Sequence, residues 1–335
     1  MTTTTTTTTE APNPEPIIRI ASGFMAAQHL FAANELGLFE ALAGSAATLE
    51  ALAARTGLTP RAARISADAM VALGLVERDG DLYRNAPTAE AFLGGTGTGD
   101  LRPLLKFWGS VSYPTWSQLA SSLASGPPRQ VFDLDDDTQA IVSAGIEAIL
   151  AGPANALAQT VDFTGHHRML DVGGGTGSWT IATLRQHPAL KATVFELPVT
   201  ADIARKRIAS AGMSDRIDIV AGDALTDQLP DGHDVILVAN LVHYWSPETN
   251  VELLRRIRGA ATPGTRLLLA DFWTDPTHSQ PLQAALMAGE FAVHLRDGDV
   301  YSVAEMQTML DQSGWQFVDH RPLAGPQSLI IATAT

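Results

Sequence analysis

The stretch LDVGGGTGSW, residues 170–179, restricts the fold of this chain more than any other. An apolar run that ends in glycines and continues as a helical pattern reads as a strand, a tight loop and a helix N-terminus. Glycine lets such a loop take left-handed turns and approach a ligand closely, and the helix end favours an anionic group. From His167 onward the same unit recurs. RMLDVGG, SWTIATLRQHP, KATVFELP, ADIARKRIASAG, IDIVAGD, HDVILVANLVH, NVELLRRIRGA and TRLLLADFW alternate short β runs with helices. Parallel strands need crossover helices, so the alternation predicts an α/β fold with a parallel, doubly wound sheet. Ligands of such sheets bind beyond the carboxyl ends of the strands.

A G-x-G pattern alone is also a plain tight turn, but here a strand, a loop, a helix and a distant acid follow in order. Gly173, Gly175 and Gly177 form the loop, and Glu196 in FELP lies 21 residues beyond Gly175, where it can accept from two ribose hydroxyls. Ser178 stands where a dinucleotide fingerprint would have its third glycine, which favours S-adenosylmethionine over NAD. Asp171 can engage the methionine ammonium, directly or through water. Asp223 and Ala224 in AGDAL, with Asn240 in ANLVH, complete the expected cofactor-binding set.

A chain of 335 residues is long for one core, which predicts two domains. The opening MTTTTTTTTEAPNPEP, residues 1–16, reads as a disordered tail, since Thr and Pro repeats bury too little surface to offset ordering entropy. Residues 17–100 read as a helical domain. In it Thr48 caps a helix, Gly57 turns the chain, a second helix starts near Pro60, and a hairpin turns at Asp79-Gly80, the order of a winged helix. A DNA-binding regulator is the rival reading of that pattern. Over residues 48–93, however, Arg55, Arg61, Arg64, Arg78 and Arg84 face six acids, and the whole chain carries a net charge of -14, which repels phosphate backbones. No nucleic acid is therefore expected as a partner. Absence of cysteine fits a reducing cytoplasm, and no uninterrupted apolar stretch nears the roughly 20 residues that span a bilayer, so no membrane is expected either. Residues 101–160 read as a helical linker bordering a small-molecule pocket, and 161–335 as the cofactor-binding domain. Trp108 and Tyr113 can line that pocket or serve as core, and Arg129 can grip a substrate carboxylate.

The series DVGGGTG, FELP, AGDAL, LVHYWSPE and RRIRGAATPGTRLLLAD resembles that of class I S-adenosylmethionine-dependent methyltransferases of the plant and bacterial O-methyltransferase type. The resemblance covers nearly everything after residue 20. It implies a Rossmann-like catalytic domain, an N-terminal, all-helical winged-helix dimerisation domain, a homodimer, a small-molecule acceptor, and active sites roofed by the N-terminal helices.

In that family the histidine matching His243 removes a phenolic proton as the methyl moves. Its ordinary pKa of about 6.5 leaves imidazole mostly neutral at working pH. This chain departs from the pattern nearby: Tyr244 replaces the usual acid, and Val300 stands where an acid often orients the base. In PLQAALMAGEFAVHL, helical spacing places Met287, Glu290 and His294 on one face, and Asp271 ends the strand LLLAD. His243, His294 and Asp271, with Glu290 as the alternative carboxylate, are thus the expected metal ligands, for zinc or iron. A cation there would stabilise an enolate, so the preferred reading is C-methylation at the β-carbon of a 2-oxo acid, as the resembling phenylpyruvate-type enzymes imply. The alternative is metal-free O-methylation of a phenol or other natural-product hydroxyl with His243 as base. Met287 and Phe291, beside Trp108, Tyr113 and Arg129, are the expected substrate contacts.

Overall fold

A computed structural model describes residues 12–95, 97, 99–127 and 134–335. The chain divides into two compact units, Met1–Gly109 and Ser110–Thr335.

In the first unit, α1 (Glu15–Glu35) and α2 (Leu38–Ala41) precede a short strand β1 (Ala47–Thr48), then α3 (Leu49–Thr56) and α4 (Pro60–Ala72). Strands β2 (Val76–Asp79) and β3 (Leu82–Asn85) follow, then α5 (Pro87–Leu93) and α6 (Arg102–Phe107). Local chemistry sets these boundaries. Thr48 and Thr59 accept from the backbone of Ala51 and Ala62, caps worth about 1 kcal/mol each. Gly57, in the left-handed region, ends α3. Asp79 pairs with Leu82, so Gly80-Asp81 is a two-residue turn, one residue later than the sequence suggested, and Gly80 takes the positive φ that such a turn demands. β1 pairs with β3 to make the order β1-β3-β2, so three strands accompany the helices. Arg64, Arg78 and Arg84 are committed to Asp68 and Glu77 on this surface. α1 is largely exposed, including Ile17, Ile18, Ile20, Phe24 and Met25.

The second unit opens with α7 (Tyr113–Trp116), α8 (Leu119–Ser125) and the long α9 (Asp136–Thr160). There follow β4 (Arg168–Val172), α10 (Ser178–Gln186), β5 (Lys191–Glu196), α11 (Pro198–Ser210), β6 (Ile217–Ala221), β7 (Val235–Ala239), α12 (Pro247–Gly259) and β8 (Arg266–Asp271). The chain ends with α13 (Leu282–His294), α14 (Val303–Gln312), β9 (Trp315–Pro322) and β10 (Ser328–Ala334). Among the described residues α9 has the length and hydropathy to cross a bilayer, although it carries Glu147; its Ala154 and Leu157, with Val161 just beyond its end, lie in the core against α10.

The sheet order is β6-β5-β4-β7-β8-β10-β9. β4 to β8 are parallel, and β10 runs antiparallel to both β8 and β9. The strands that the alternation predicted, β4 to β8, are parallel; beyond them residues 323–327 join β9 to β10, too few for a crossover, so that pair closes as an antiparallel hairpin. Alternation along the strands feeds two cores. Met169, Val194, Val235, Leu237 and Leu268 face α9, α10 and α11, whereas Leu170, Val172, Ile236, Val238 and Leu267 face α12 and α14. Both faces are covered, which is why β7, VILVA, is buried at every position.

His233, just before β7, is buried, with Nε2 3.0 Å from Thr193 Oγ1 and Nδ1 without a partner. Burial, first, pushes its pKa below the ordinary 6.5, so the folded state holds the neutral ring. A depressed native pKa contributes stability that is present above the unfolded value and is lost as pH falls through it. Urea unfolding at about pH 7.5 and about pH 5.5 should show a drop in stability that shrinks in His233→Gln.

Candidate active site

The strand order reverses between β4 and β7, the place where sheets of this kind bind ligands beyond the carboxyl ends of their strands. On the β4 side, Gly173, Gly175 and Gly177 have φ of 66°, 57° and 84°, conformations that side chains resist. The loop is close-packed from below. A Cβ on Gly173 would sit 2.7 Å from Leu241, and one on Gly174 2.7 Å from the Asp171 carboxyl carbon. Gly174 was missing from the expected set, although its place inside GGG was the signal.

Asp171 is fully buried. Oδ2 accepts from Thr180 Oγ1 at 2.6 Å, and Oδ1 has no partner. Burial raises its pKa to about 7, against the opposing hydrogen bond from Thr180. Glu196 accepts from the backbone N–H of Gly175 and of Leu197, both at 2.7 Å, and burial raises its pKa as well. Asp223 accepts from Leu225 N–H at 2.8 Å in a turn after β6, and the Ala224 carbonyl accepts from Arg256. Asn240, beyond β7, has φ of 53°, and its buried Oδ1 has no partner. These orphaned oxygens and bare loop glycines line one strand edge. Their acceptor chemistry fits a cofactor with ammonium and hydroxyl donors.

Beyond Asn240, a 3₁₀ turn over Val242–Tyr244 carries His243, which is 6% exposed. Asn250 from α12 fastens the turn by donating to the Val242 carbonyl at 2.8 Å. His243 Nδ1 lies 2.8 Å from Asp271 Oδ1, at the end of β8, and that oxygen also accepts from Phe272 N–H. A carboxylate only accepts, so Nδ1 carries the proton and Nε2 is left as a base. The ring stacks on Phe291 at 4.1 Å and 10°, and on Tyr244 at 4.7 Å and 29°. Two rings this close and this parallel cannot share one face of an imidazole, so they enclose it. Burial pushes the Tyr244 hydroxyl up to about 12. Val300 joins Phe272, Phe291, Met287 and Tyr244 in an apolar cluster, so the ordinary place of an acid is filled by packing. Gly298 abuts the His243 carbonyl oxygen, which a Cβ would approach to 2.7 Å.

The expected metal ligands are not gathered. Among the described residues, no three His, Asp, Glu or Cys side chains converge to hold an ion. Instead there are two separate pairs: Asp271 takes His243, while His294 Nε2 faces Glu290 Oε1 at 3.2 Å, one helical turn back. The helical spacing was right, but the nearest carboxylate to His294 belongs to its own helix. This donor set does not fit the cation, and the enolate reading loses its support. Tyr113 is 36% exposed at the start of α7, and Trp108 is half-buried at the end of α6 in the first unit. Arg129 lies outside the described residues.

Comparison with known proteins places the chain in a family. The O-methyltransferase domain family matches residues 127–316, and the O-methyltransferase dimerisation domain matches 18–95. The chain belongs to the O-methyltransferase family. It is 31% identical to the tetracenomycin polyketide synthesis 8-O-methyl transferase TcmO of Streptomyces glaucescens, over 95% of this chain and 96% of that one. It is 33% identical to a 3-hydroxy-5-methyl-1-naphthoate 3-O-methyltransferase of Streptomyces sahachiroi, over 93% and 92%. Among solved structures, the S-adenosylmethionine-dependent methyltransferase SibL superposes with a TM-score of 0.81 at 30% identity, over 96% of this chain and 99% of that one. The methyltransferase is thus S-adenosylmethionine-dependent, with a helical N-terminal dimerisation domain and a Rossmann-like catalytic domain.

Proposed function

We propose that this methyltransferase methylates a hydroxyl oxygen of an aromatic natural product, with His243 as general base and without a metal. The observation that carries the reading is the His243–Asp271 pair, which fixes the tautomer that leaves Nε2 as acceptor at the carboxyl edge of the sheet. The relatives add support: the names of two describe O-methylation of a polyketide and of a hydroxynaphthoate. The C-methylation of a 2-oxo acid that the two histidines first suggested needed a cation these side chains are not arranged to hold.

Bound S-adenosylmethionine supplies a methyl carbon made electrophilic by its sulfonium. His243 Nε2 takes the acceptor's hydroxyl proton, and the oxygen's electron pair forms the new bond to carbon as the carbon–sulfur bond breaks, leaving S-adenosylhomocysteine. Asp271 holds the ring in its tautomer and offsets the charge it gains. Phe291 and Tyr244 limit its tilt and exclude water. Phe272 and Met287 extend the apolar wall, a surface suited to a flat aromatic ring.

His243→Asn should lower kcat by about a hundredfold or more, the scale of a lost general base, with S-adenosylhomocysteine affinity unchanged. Wild-type enzyme offered phenols and 2-oxo acids side by side should methylate a phenol, and a chelator should not change that rate. Turnover of 2-oxo acids alone, abolished by the chelator, would sink the reading.

In the cofactor site, Asp171 is assigned to the methionine ammonium. A carboxyl raised to about 7 must release its proton to meet a cation, so affinity rises with pH up to about 7 and levels above it. Calorimetry of S-adenosylhomocysteine across that range should show up to about tenfold weakening per pH unit on the acid side, flattened in Asp171→Asn.

The exposed apolar residues of α1, together with the matched dimerisation domain, support a homodimer. Phe24→Glu or Ile20→Glu should shift the sedimenting species from dimer to monomer, and an unchanged dimer from both would remove α1 from the interface.

A further inference from the structure

The strongest polar cluster outside the described machinery lies one residue from it. Glu290, on α13, is nearly buried, with a side chain 12% exposed. Ser112 Oγ lies 2.7 Å from each of its carboxylate oxygens, Trp116 Nε1–H donates to Oε2, and His294 faces Oε1. Burial works to raise this carboxyl, yet those donors together hold it below its ordinary value, so the buried group is a carboxylate. Trp116 reaches it across Gly289, where a Cβ would stand 2.7 Å from the indole ring. Two consecutive residues of α13 are therefore keyed to the segment over 112–116, one by charge-assisted hydrogen bonds and one by the lack of a side chain.

The next residue is Phe291, whose ring covers His243 at 4.1 Å and 10°. We infer that Glu290 is a positioning residue for His243: tied to Ser112 and Trp116, it holds α13 at the height at which Phe291 presses on the imidazole. His243 is then constrained on three sides. Asp271 fixes rotation in the ring plane through Nδ1, Tyr244 backs one face, and Phe291, registered by Glu290, closes the other. Without the carboxylate, the Trp116 N–H and the buried Ser112 O–H lose their acceptor, and α13 loses its polar tie to that segment. Misplacement of a reacting group by about 1 Å is enough to cost about a hundredfold in rate.

The inference rests on His243 as proton acceptor, and its test is chosen to separate the two. Phe291 stacked on the imidazole shifts the His243 Cε1–H resonance upfield by its ring current, in a carbon-edited spectrum assigned by its loss in His243→Asn. Phe291→Leu should remove most of that shift and leave the smaller part due to Tyr244. Glu290→Ala should reduce it and lower kcat by about ten- to a hundredfold, with S-adenosylhomocysteine affinity unchanged. Glu290→Gln, which still accepts from Trp116, should restore most of both, and Trp116→Phe, which removes only the donor, should move both in the direction of Glu290→Ala. The double variant of Glu290→Ala with Phe291→Leu should be no slower than the slower single variant, because both cut one path. Losses that multiply, or a His243 resonance that stays in place in both Glu290→Ala and Trp116→Phe, overturn the inference. Should Glu290→Ala fail to fold, Trp116→Phe carries the same readouts. The resonance needs no acceptor substrate, so an error in the proposed reaction leaves this test intact.

Discussion

The parallel pairing of β4 with β7 is the constraint on which the rest depends. Met169 to Val172 align with Val235 to Val238, and from this line the sheet grows outward in both directions, to β5 and β6 on one side and to β8, β10 and β9 on the other. Connections leaving two such strands run to opposite sides, so the crevice between them is a product of topology. The candidate site residues hang from that edge: the glycine loop from β4, Glu196 from β5, Asn240 and His243 from β7, and Asp271 from β8.

At that edge the rules that stabilise the remainder are broken. Asp171 is a fully buried carboxyl group with one oxygen unpartnered, Asn240 is a non-glycine residue in the left-handed region, and three glycines hold conformations that any side chain would strain. Each feature costs stability, and the paired, alternating cores on both faces of the sheet offset it. The two histidine pairs are different cases. His243 is oriented by a partner on another strand, 28 residues away, whereas His294 meets a carboxylate of its own helix. The first can aim a ring at a ligand, and the second joins two groups on one helix.

Much of this was legible because it is local. The cap at Thr48, the turn at Gly57, the hairpin at Gly80 and the strand–loop–helix at LDVGGGTGSW depend on residues within a few positions of one another. The 21-residue spacing from Gly175 to Glu196 was readable too, since one crossover helix of ordinary length fixes it, and the carboxylate does reach the Gly175 amide. What failed involved side-chain direction across elements. Residue types and helical phase placed His243, His294 and Asp271 together as candidate ligands, with Glu290 as the alternative carboxylate, but phase does not say which neighbour a side chain faces. The antiparallel edge was missed for a related reason, because WQFVDHRP and SLIIATA pair through a short turn and break the preceding rhythm of crossovers.

By itself, then, the sequence determined the family of solutions: a doubly wound sheet, a nucleoside-binding edge, and a histidine at that edge. Short-range sterics, capping and the two-residue period of strands are sufficient for that. Only the tertiary structure decided that His243 faces Asp271 and not His294, that Val300 packs against Phe272 and Phe291, and that Glu290 spends its charge on Ser112 and Trp116. The reason is that a buried polar group must find a partner in three dimensions, and which partner lies within reach depends on how distant segments pack, not on their spacing along the chain.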